Sequence, residues 1–170
     1  MDEAETMRTR FREAMSRLGA AVNVITTHGA SGPCGITATA VCSVSDSPPT
    51  LLICLNRSSA LNAVFRANGV ACVNVLGDHQ EEHARHFAGM TGLAMRERFA
   101  KAAWNMGEGD VPSLKTALAN LHGRITQTLE VGSHTVMFVE IGRIDLHAEQ
   151  SGSLVYFNRN FHRVVPAAAA

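Results

Sequence analysis

Between positions 35 and 45 the chain reads GITATAVCSVS, a stretch without a charged or bulky side chain. With the two-residue period of a strand, Thr37, Thr39, Val41, Ser43 and Ser45 fall on one face, and Ile36, Ala38, Ala40, Cys42 and Val44 on the other. A flat ligand can approach such a backbone closely and find hydroxyl and amide partners there. Beyond Pro48-Pro49, an apolar run from Leu51 to Leu55 leads into Asn56-Arg57-Ser58-Ser59, with Asn62 three residues on. Ser58 or Ser59 suits the cap of a short helix over 60–67 ending before Gly69. Free amides at that helix start favour an anion by about 0.3–1 kcal/mol, and Arg57 adds a charge-assisted contact. A hydroxyl floor followed by an anion site suits a flat ligand that ends in a monophosphate.

The histidines point elsewhere. His79, His83 and His86 have helical spacing, but the string is HQEEH, so the HExxH arrangement of a metalloprotease is not met and no metal site is expected. His134 opens a strand just after Gly132-Ser133, where a rigid scaffold can aim it across the mouth of a barrel. No GxSxG elbow, GxxxxGK[ST] loop or GxGxxG turn occurs, which excludes the usual serine hydrolase, P-loop and Rossmann sites. Cys34, Cys42, Cys54 and Cys72 form no CxxC pair, and three of them lie in apolar strand patterns, so they read as reduced, buried small hydrophobes.

The elements that position these residues are mostly strands. Met7, Phe11, Met15 and Leu18 recur at helical spacing before Gly19 and predict an amphipathic N-terminal helix. Strands are predicted over 20–27, 35–45, 51–55 and 70–76, then a helical excursion over 78–104 with a break in its middle. Residues 117–121 suit a short helix or an edge strand; 124–131 and 134–147 form a hairpin, and 153–158 a last strand. Many short strands joined by Gly-containing turns predict a mainly β protein with flanking helices, a closed or nearly closed barrel. The 170 residues suit one domain over 1–170, with 166–170 expected as a disordered tail. Fifteen basic and fifteen acidic side chains cancel, which speaks against a nucleic-acid partner. The apolar runs are strand-sized and the N-terminus is charged throughout, so a cytoplasmic protein outside the membrane is expected.

The segments AAVNVITT, GITATAVCSVSDSPPTLLICLNRSS, VNVL, Phe87-Ala88-Gly89, Arg98-Phe99 and GSHTVMFVEI resemble the flavin reductase family, with its split β-barrel of the FMN-binding type. These are the small reductase components of two-component flavin monooxygenases. The likeness covers about 11–161. It implies that NADH or NADPH delivers a hydride to FMN or FAD, and that reduced flavin diffuses to a flavin-dependent monooxygenase. It also implies a homodimer with flavin sites near the interface. By resemblance, Thr37, Ala38, Thr39, Cys42 and Ser43 line the isoalloxazine and ribityl chain. Asn56, Ser58, Ser59 and Asn62, with Arg57, bracket the phosphate end, and Phe87 is a loop residue covering the flavin. His134 and Tyr156 belong to the nicotinamide side; many members read G-D-H where this chain has Gly132-Ser133-His134. Hydride transfer depends on stacking and close approach, so no single essential catalytic residue is expected. A non-enzymatic FMN-holding or electron-carrying protein on the same barrel is the alternative.

Overall fold

The computed structural model describes residues 2–107, 110–147 and 152–167. Its elements are α1 (Glu3–Ser16), β1 (Ala20–Ala21), β2 (Asn23–Gly29), β3 (Gly32–Ala38), β4 (Val41–Asp46), β5 (Pro49–Asn56), α2 (Ala60–Asn68) and β6 (Val70–Val75). There follow α3 (Glu81–Phe87), α4 (Met95–Phe99), β7 (Trp104–Asn105), β8 (Ser113–Leu114), β9 (Ala119–Val131), β10 (His134–Leu146), β11 (Ser153–Phe157) and β12 (Asn160–Val164). A seven-stranded sheet runs in the order β3-β2-β6-β9-β10-β5-β4; β1, β11 and β12 make a small second sheet, and β7 pairs with β8.

One connection shapes the large sheet. β3 and β4 are its two outer strands, yet only Thr39 and Ala40 separate them in the chain. A flat sheet of seven strands would hold its edges about 29 Å apart, while the link from Ala38 to Val41 reaches at most about 11 Å. The sheet must therefore curl until its edges meet at Thr39-Ala40. Two register shifts help β10 to bend, one at Phe138/Val139 and one at Ile141/Arg143. Gly123 faces the second shift, and a Cβ there would strike the Glu140 carbonyl.

Two expectations change here. The sheet curls, but among the described residues no ladder joins β3 to β4, so a closed barrel is not formed. The stretch 35–45 is also two strands rather than one. Ile36, Ala38 and Val41 all pack on the core inside the curl, so the side-chain alternation shifts by one residue at the break. Thr37 instead points outward and donates to the Ala84 carbonyl of α3 at 2.6 Å. The hydroxyls of this stretch thus serve two different surfaces.

Inside the curl, Ile25, Ile53, Leu55, Val73, Met137 and Val139 pack with Phe65 of α2. Outside it, Val22, Val24, Phe87, Phe99, Trp104 and Leu154 form a second cluster beneath α3, α4 and the small sheet. β2 contributes to both and is buried from Asn23 to Thr27. Residues 119–121, expected as a short helix or an edge, begin the interior strand β9 and pair with β6. The strand β12 lacks a prediction because its turn, Asn158-Arg159, uses positive φ (48° and 63°) without a glycine. α1 forms as expected, capped by Asp2, but none of its residues is buried, and Met7, Phe11 and Met15 face outward. Of 166–170, only Pro166 and Ala167 lie within the described residues.

A buried polar latch holds the segment 112–117 across the sheet. Asn74, fully buried, accepts from the Leu114 amide at 2.7 Å and from Asn120 Nδ2 at 2.8 Å, and donates to the Val24 carbonyl at 2.8 Å. Thr26 donates to the Pro112 carbonyl beside it. Truncating Asn74 leaves several enclosed groups unpaired. Asn74→Ala is expected to lower unfolding free energy by about 2–3 kcal/mol in urea titration, and a loss below about 0.5 kcal/mol would contradict the latch.

Candidate functional site

At the β3–β4 break the main chain is left with unused donors. The carbonyls of Thr39 and Ala40 accept from Val41 and Cys54 at 2.9 and 3.1 Å. Among the described residues, the N–H groups of Thr39 and Ala40 themselves donate to no protein carbonyl. Ala40 is exposed and Thr39 half-buried, and neither they nor the flanking residues of the stretch carry charge. Two free amides on an uncharged, open surface favour a neutral, hydrogen-bonding ring system over a charged group. Next along the chain, Cys42 is exposed on the outer face of β4, opposite Leu52, while Ser43 turns inward with Val41. A ligand on the outer face therefore meets the Cys42 side chain and only the backbone of Ser43.

The strand β5 leads to the second half of the site. Ser59 caps α2, its Oγ accepting from the Leu61 amide at 3.3 Å, and Gly69 ends the helix in the left-handed region at φ 66°. The amides at this start are less free than the sequence suggests. Ser58 N–H donates to Asn56 Oδ1 at 2.9 Å, Ser59 N–H to the Asn56 carbonyl and Asn62 N–H to the Ser59 carbonyl. Ser58 Oγ also donates to Asn56 Oδ1, at 2.9 Å, so what remains for an anion is the Ala60 amide and the Ser59 hydroxyl, with Arg57 beside them.

Arg57 is held from the opposite hairpin. Its Nη1 donates to the Gly132 carbonyl at 3.1 Å, its Nη2 lies 3.0 Å from Glu130, and its amide donates to the Ser133 carbonyl at 2.9 Å. Glu130 also takes Arg66 at 3.1 Å, so one carboxylate gathers two guanidiniums. Glu130 has no signal in the sequence, because it lies far from both Arg57 and Arg66 along the chain and no local motif joins it to them. Pairing of His134 with Asn56 puts the histidine in this same patch. Ser133 Oγ sits 2.8 Å from His134 Nδ1 and orients the exposed ring.

Other expected site residues are engaged elsewhere. Phe87 is not a loop residue over a ligand: it ends α3, is 2% exposed, and packs edge-on against Phe99 and Trp104. Gly35 lies directly beneath its ring. Asn62 is buried, donating to the Leu55 carbonyl and accepting from Thr135, so its amide ties α2 to β5 and β10 rather than facing a ligand. Tyr156 lies on the small sheet, opposite Ala20, with its ring 5.1 Å from that of Phe161. Ala38 faces the interior core. The structure thus joins Asn56, Arg57, Ser58, Ser59 and His134 in one patch, and leaves Phe87 and Tyr156 in the outer aromatic layer.

A separate cavity of about 450 Å³ is lined by Asp110, His122, Arg124, Glu140 and Arg143, where Arg143 pairs with Asp145 and Arg124 with Glu140. Among the described residues, no group of three or more His, Cys, Asp or Glu side chains is placed to hold a metal ion. His79 precedes α3, and His86 is buried against Thr91 at 2.9 Å, so the three histidines do not form one exposed helix face.

The family model described as "Flavin reductase like domain" matches residues 15–164. The chain is 55% identical over 164 residues to the 4-hydroxyphenylacetate 3-monooxygenase reductase component of Pseudomonas aeruginosa, covering 96% of both chains. It is 46% identical over 159 residues to the NADH-dependent FMN reductase RutF of Stutzerimonas stutzeri, covering 94% of this chain and 90% of that one. The solved NADH:FAD oxidoreductase SgcE6 of Streptomyces globisporus, in complex with NAD and FAD fragments, superposes with a TM-score of 0.85 at 29% identity over 95% of each chain.

Two histidines away from the break bear on stability. Burial holds the His83 ring below its ordinary pKa, and burial with Arg143 does the same for His122, against the opposing pull of Asp145. A depressed folded pKa means that the unfolded chain takes up the proton first as pH falls below about 6.5. Stability is expected to be full above that pH, to fall on acidification toward the folded pKa values, and then to level off for these groups. Urea midpoints at pH 7.5 and 5.5 check this, with a smaller decrease expected for His122→Gln; an unchanged pH slope in that variant would count against it.

Proposed function

The chain belongs to the flavin reductase family, and from that premise we propose that this protein is an NAD(P)H:flavin oxidoreductase that supplies reduced flavin to a partner monooxygenase. The observation that carries the reading is the 55% identity, along 96% of the chain, to a monooxygenase reductase component. The curled, unclosed sheet with its flanking helices is read as the split barrel of the FMN-binding type. The chain is read as one domain, either FMN or FAD as the flavin, and either NADH or NADPH as the donor.

The residues fit a flavin at the break. The free amides of Thr39 and Ala40 suit the polar edge of an isoalloxazine, and the uncharged surface lets the ring approach the backbone. Thr37 keeps its hydroxyl on α3, which fixes the outer face of β3 beneath the ring. Arg57, Ser59 and the Ala60 amide hold the phosphate, with Glu130 and the Gly132 carbonyl keeping the guanidinium in place. Bound flavin supplies the hydride-accepting chemistry that the side chains lack. His134, oriented by Ser133, contacts the nicotinamide and positions it; the role of Tyr156 rests on the resemblance. No proton needs to pass through a protein group for this transfer, so the residues bind and orient.

A homodimer completes this reading, with the outward apolar residues Met7, Phe11 and Met15 of α1 as part of its contact. No helix among the described residues is long and apolar enough to cross a membrane. Dependence on a nicotinamide donor goes with a cytoplasmic location.

Purified protein is expected to accelerate NADH or NADPH oxidation over many turnovers when free FMN or FAD is added anaerobically. No acceleration, with stoichiometric flavin retained through dilution, would instead select the carrier alternative. Arg57→Ala should raise the KM for FMN about tenfold, equivalent to ~1.4 kcal/mol, and leave riboflavin unaffected. In the same assay His134→Ala should raise the KM for the nicotinamide with kcat kept within about threefold; complete loss of turnover at saturating donor would contradict a positioning role.

A further inference from the structure

The unclosed edge of the sheet leaves a slot on the inner side of β4, of about 360 Å³. Val41 and Leu51, with the hydroxyls of Ser43, Ser45 and Thr50 along the rim, form one wall, and Val73, Val75, Leu121 and Ile141 form the facing one. The size falls within the range of small-molecule sites, roughly 300–1,000 Å³. At its lining stands Asn23, 3% exposed. Its Nδ2 is committed to the carbonyls of Ala21 and Ala38, at 3.1 and 3.3 Å. Its Oδ1 accepts no hydrogen bond from any described residue. The fully enclosed unpaired side-chain atoms of the described residues are His86 Nε2 and Trp104 Nε1, so the Asn23 oxygen is not sealed off, and its residue lines the slot.

An amide oxygen with no protein donor at an apolar slot is met by water, which a ligand that supplies its own donor can replace. Walls of branched aliphatic side chains favour an apolar body for that ligand. The one charged residue of the lining is Asp46, which disfavours carboxylates and phosphates, so this slot is not a second place for the phosphate end of a flavin. It also lies on the face of β4 opposite Cys42, away from the free amides of the break. We propose that the slot binds a small neutral ring bearing one hydroxyl, a phenol or cyclic alcohol, whose O–H donates to Asn23 Oδ1. Such a ligand ties β4 to β2 and β6 across the seam that no ladder closes. The proposal is independent of the flavin-reductase reading.

Calorimetric titration of the full chain with p-cresol, toluene and 4-methylbenzoate separates the parts of this claim. Saturable binding of one p-cresol per chain is expected, with toluene and 4-methylbenzoate each at least about tenfold weaker, a difference of ~1.4 kcal/mol. Ile144→Trp at the exposed rim and Ile141→Phe on the wall should each weaken p-cresol binding at least about tenfold while keeping the unmodified protein's melting temperature. In the unmodified protein, nuclear Overhauser contacts are expected between the p-cresol methyl group and the methyls of Val73 and Val75. Absence of saturable binding, including because a second copy of the chain covers the slot, overturns the proposal. So do contacts elsewhere, p-cresol binding unchanged in folded variants, or toluene binding as tightly as p-cresol.

Discussion

The structure depends on one connection: the two outer strands of a seven-stranded sheet are consecutive in the chain and share a link of two residues. That link forces the curl and brings the edges together at one point. It also places Thr39 and Ala40 outside any ladder, so their amides have no strand to pair with. The free donors of the candidate site are thus a direct consequence of the topology. A fully paired barrel would have consumed them.

The same break sorts side chains between two surfaces. Before it, Thr37 points out toward α3 and Ile36 and Ala38 point in; after it, Cys42 points out and Val41 and Ser43 point in. The outer surface joins β4 and β5 to the turn at Asn56-Arg57, where the β9–β10 hairpin delivers Glu130, Ser133 and His134. The inner surface is the slot beneath the seam. Rigidity behind both comes from β2, buried on either face, and from the Asn74 latch that holds 112–117 against the sheet. The break can be open because its surroundings are closely packed.

Much of this is legible from local patterns. The Ser59 cap, the Gly69 stop, the Gly132-Ser133 hairpin and the strand nature of 70–76 follow from short-range backbone preferences, and all are present. The family resemblance also emerges from contiguous motifs. What stays hidden depends on contacts distant in sequence. The break at Thr39-Ala40 has no glycine or proline to announce it, and only the placement of β3 and β4 at opposite edges requires it. The family resemblance makes Phe87 a covering residue, yet Gly35 and the rings of Phe99 and Trp104 draw it into the core. Glu130 reads as one more surface acid until Arg57 and Arg66 are seen to share it.

The proposed activity requires flavin to lie over the break. Backbone amide resonances of the ¹⁵N-labelled protein, followed through a titration with FMN, test this most directly. The Thr39 and Ala40 amides should move downfield to saturation, with Ser58 and Ser59 moving in parallel. Saturable FMN binding that leaves the Thr39 and Ala40 resonances in place, and shifts only those of residues lining the slot or the outer aromatic layer, would contradict it.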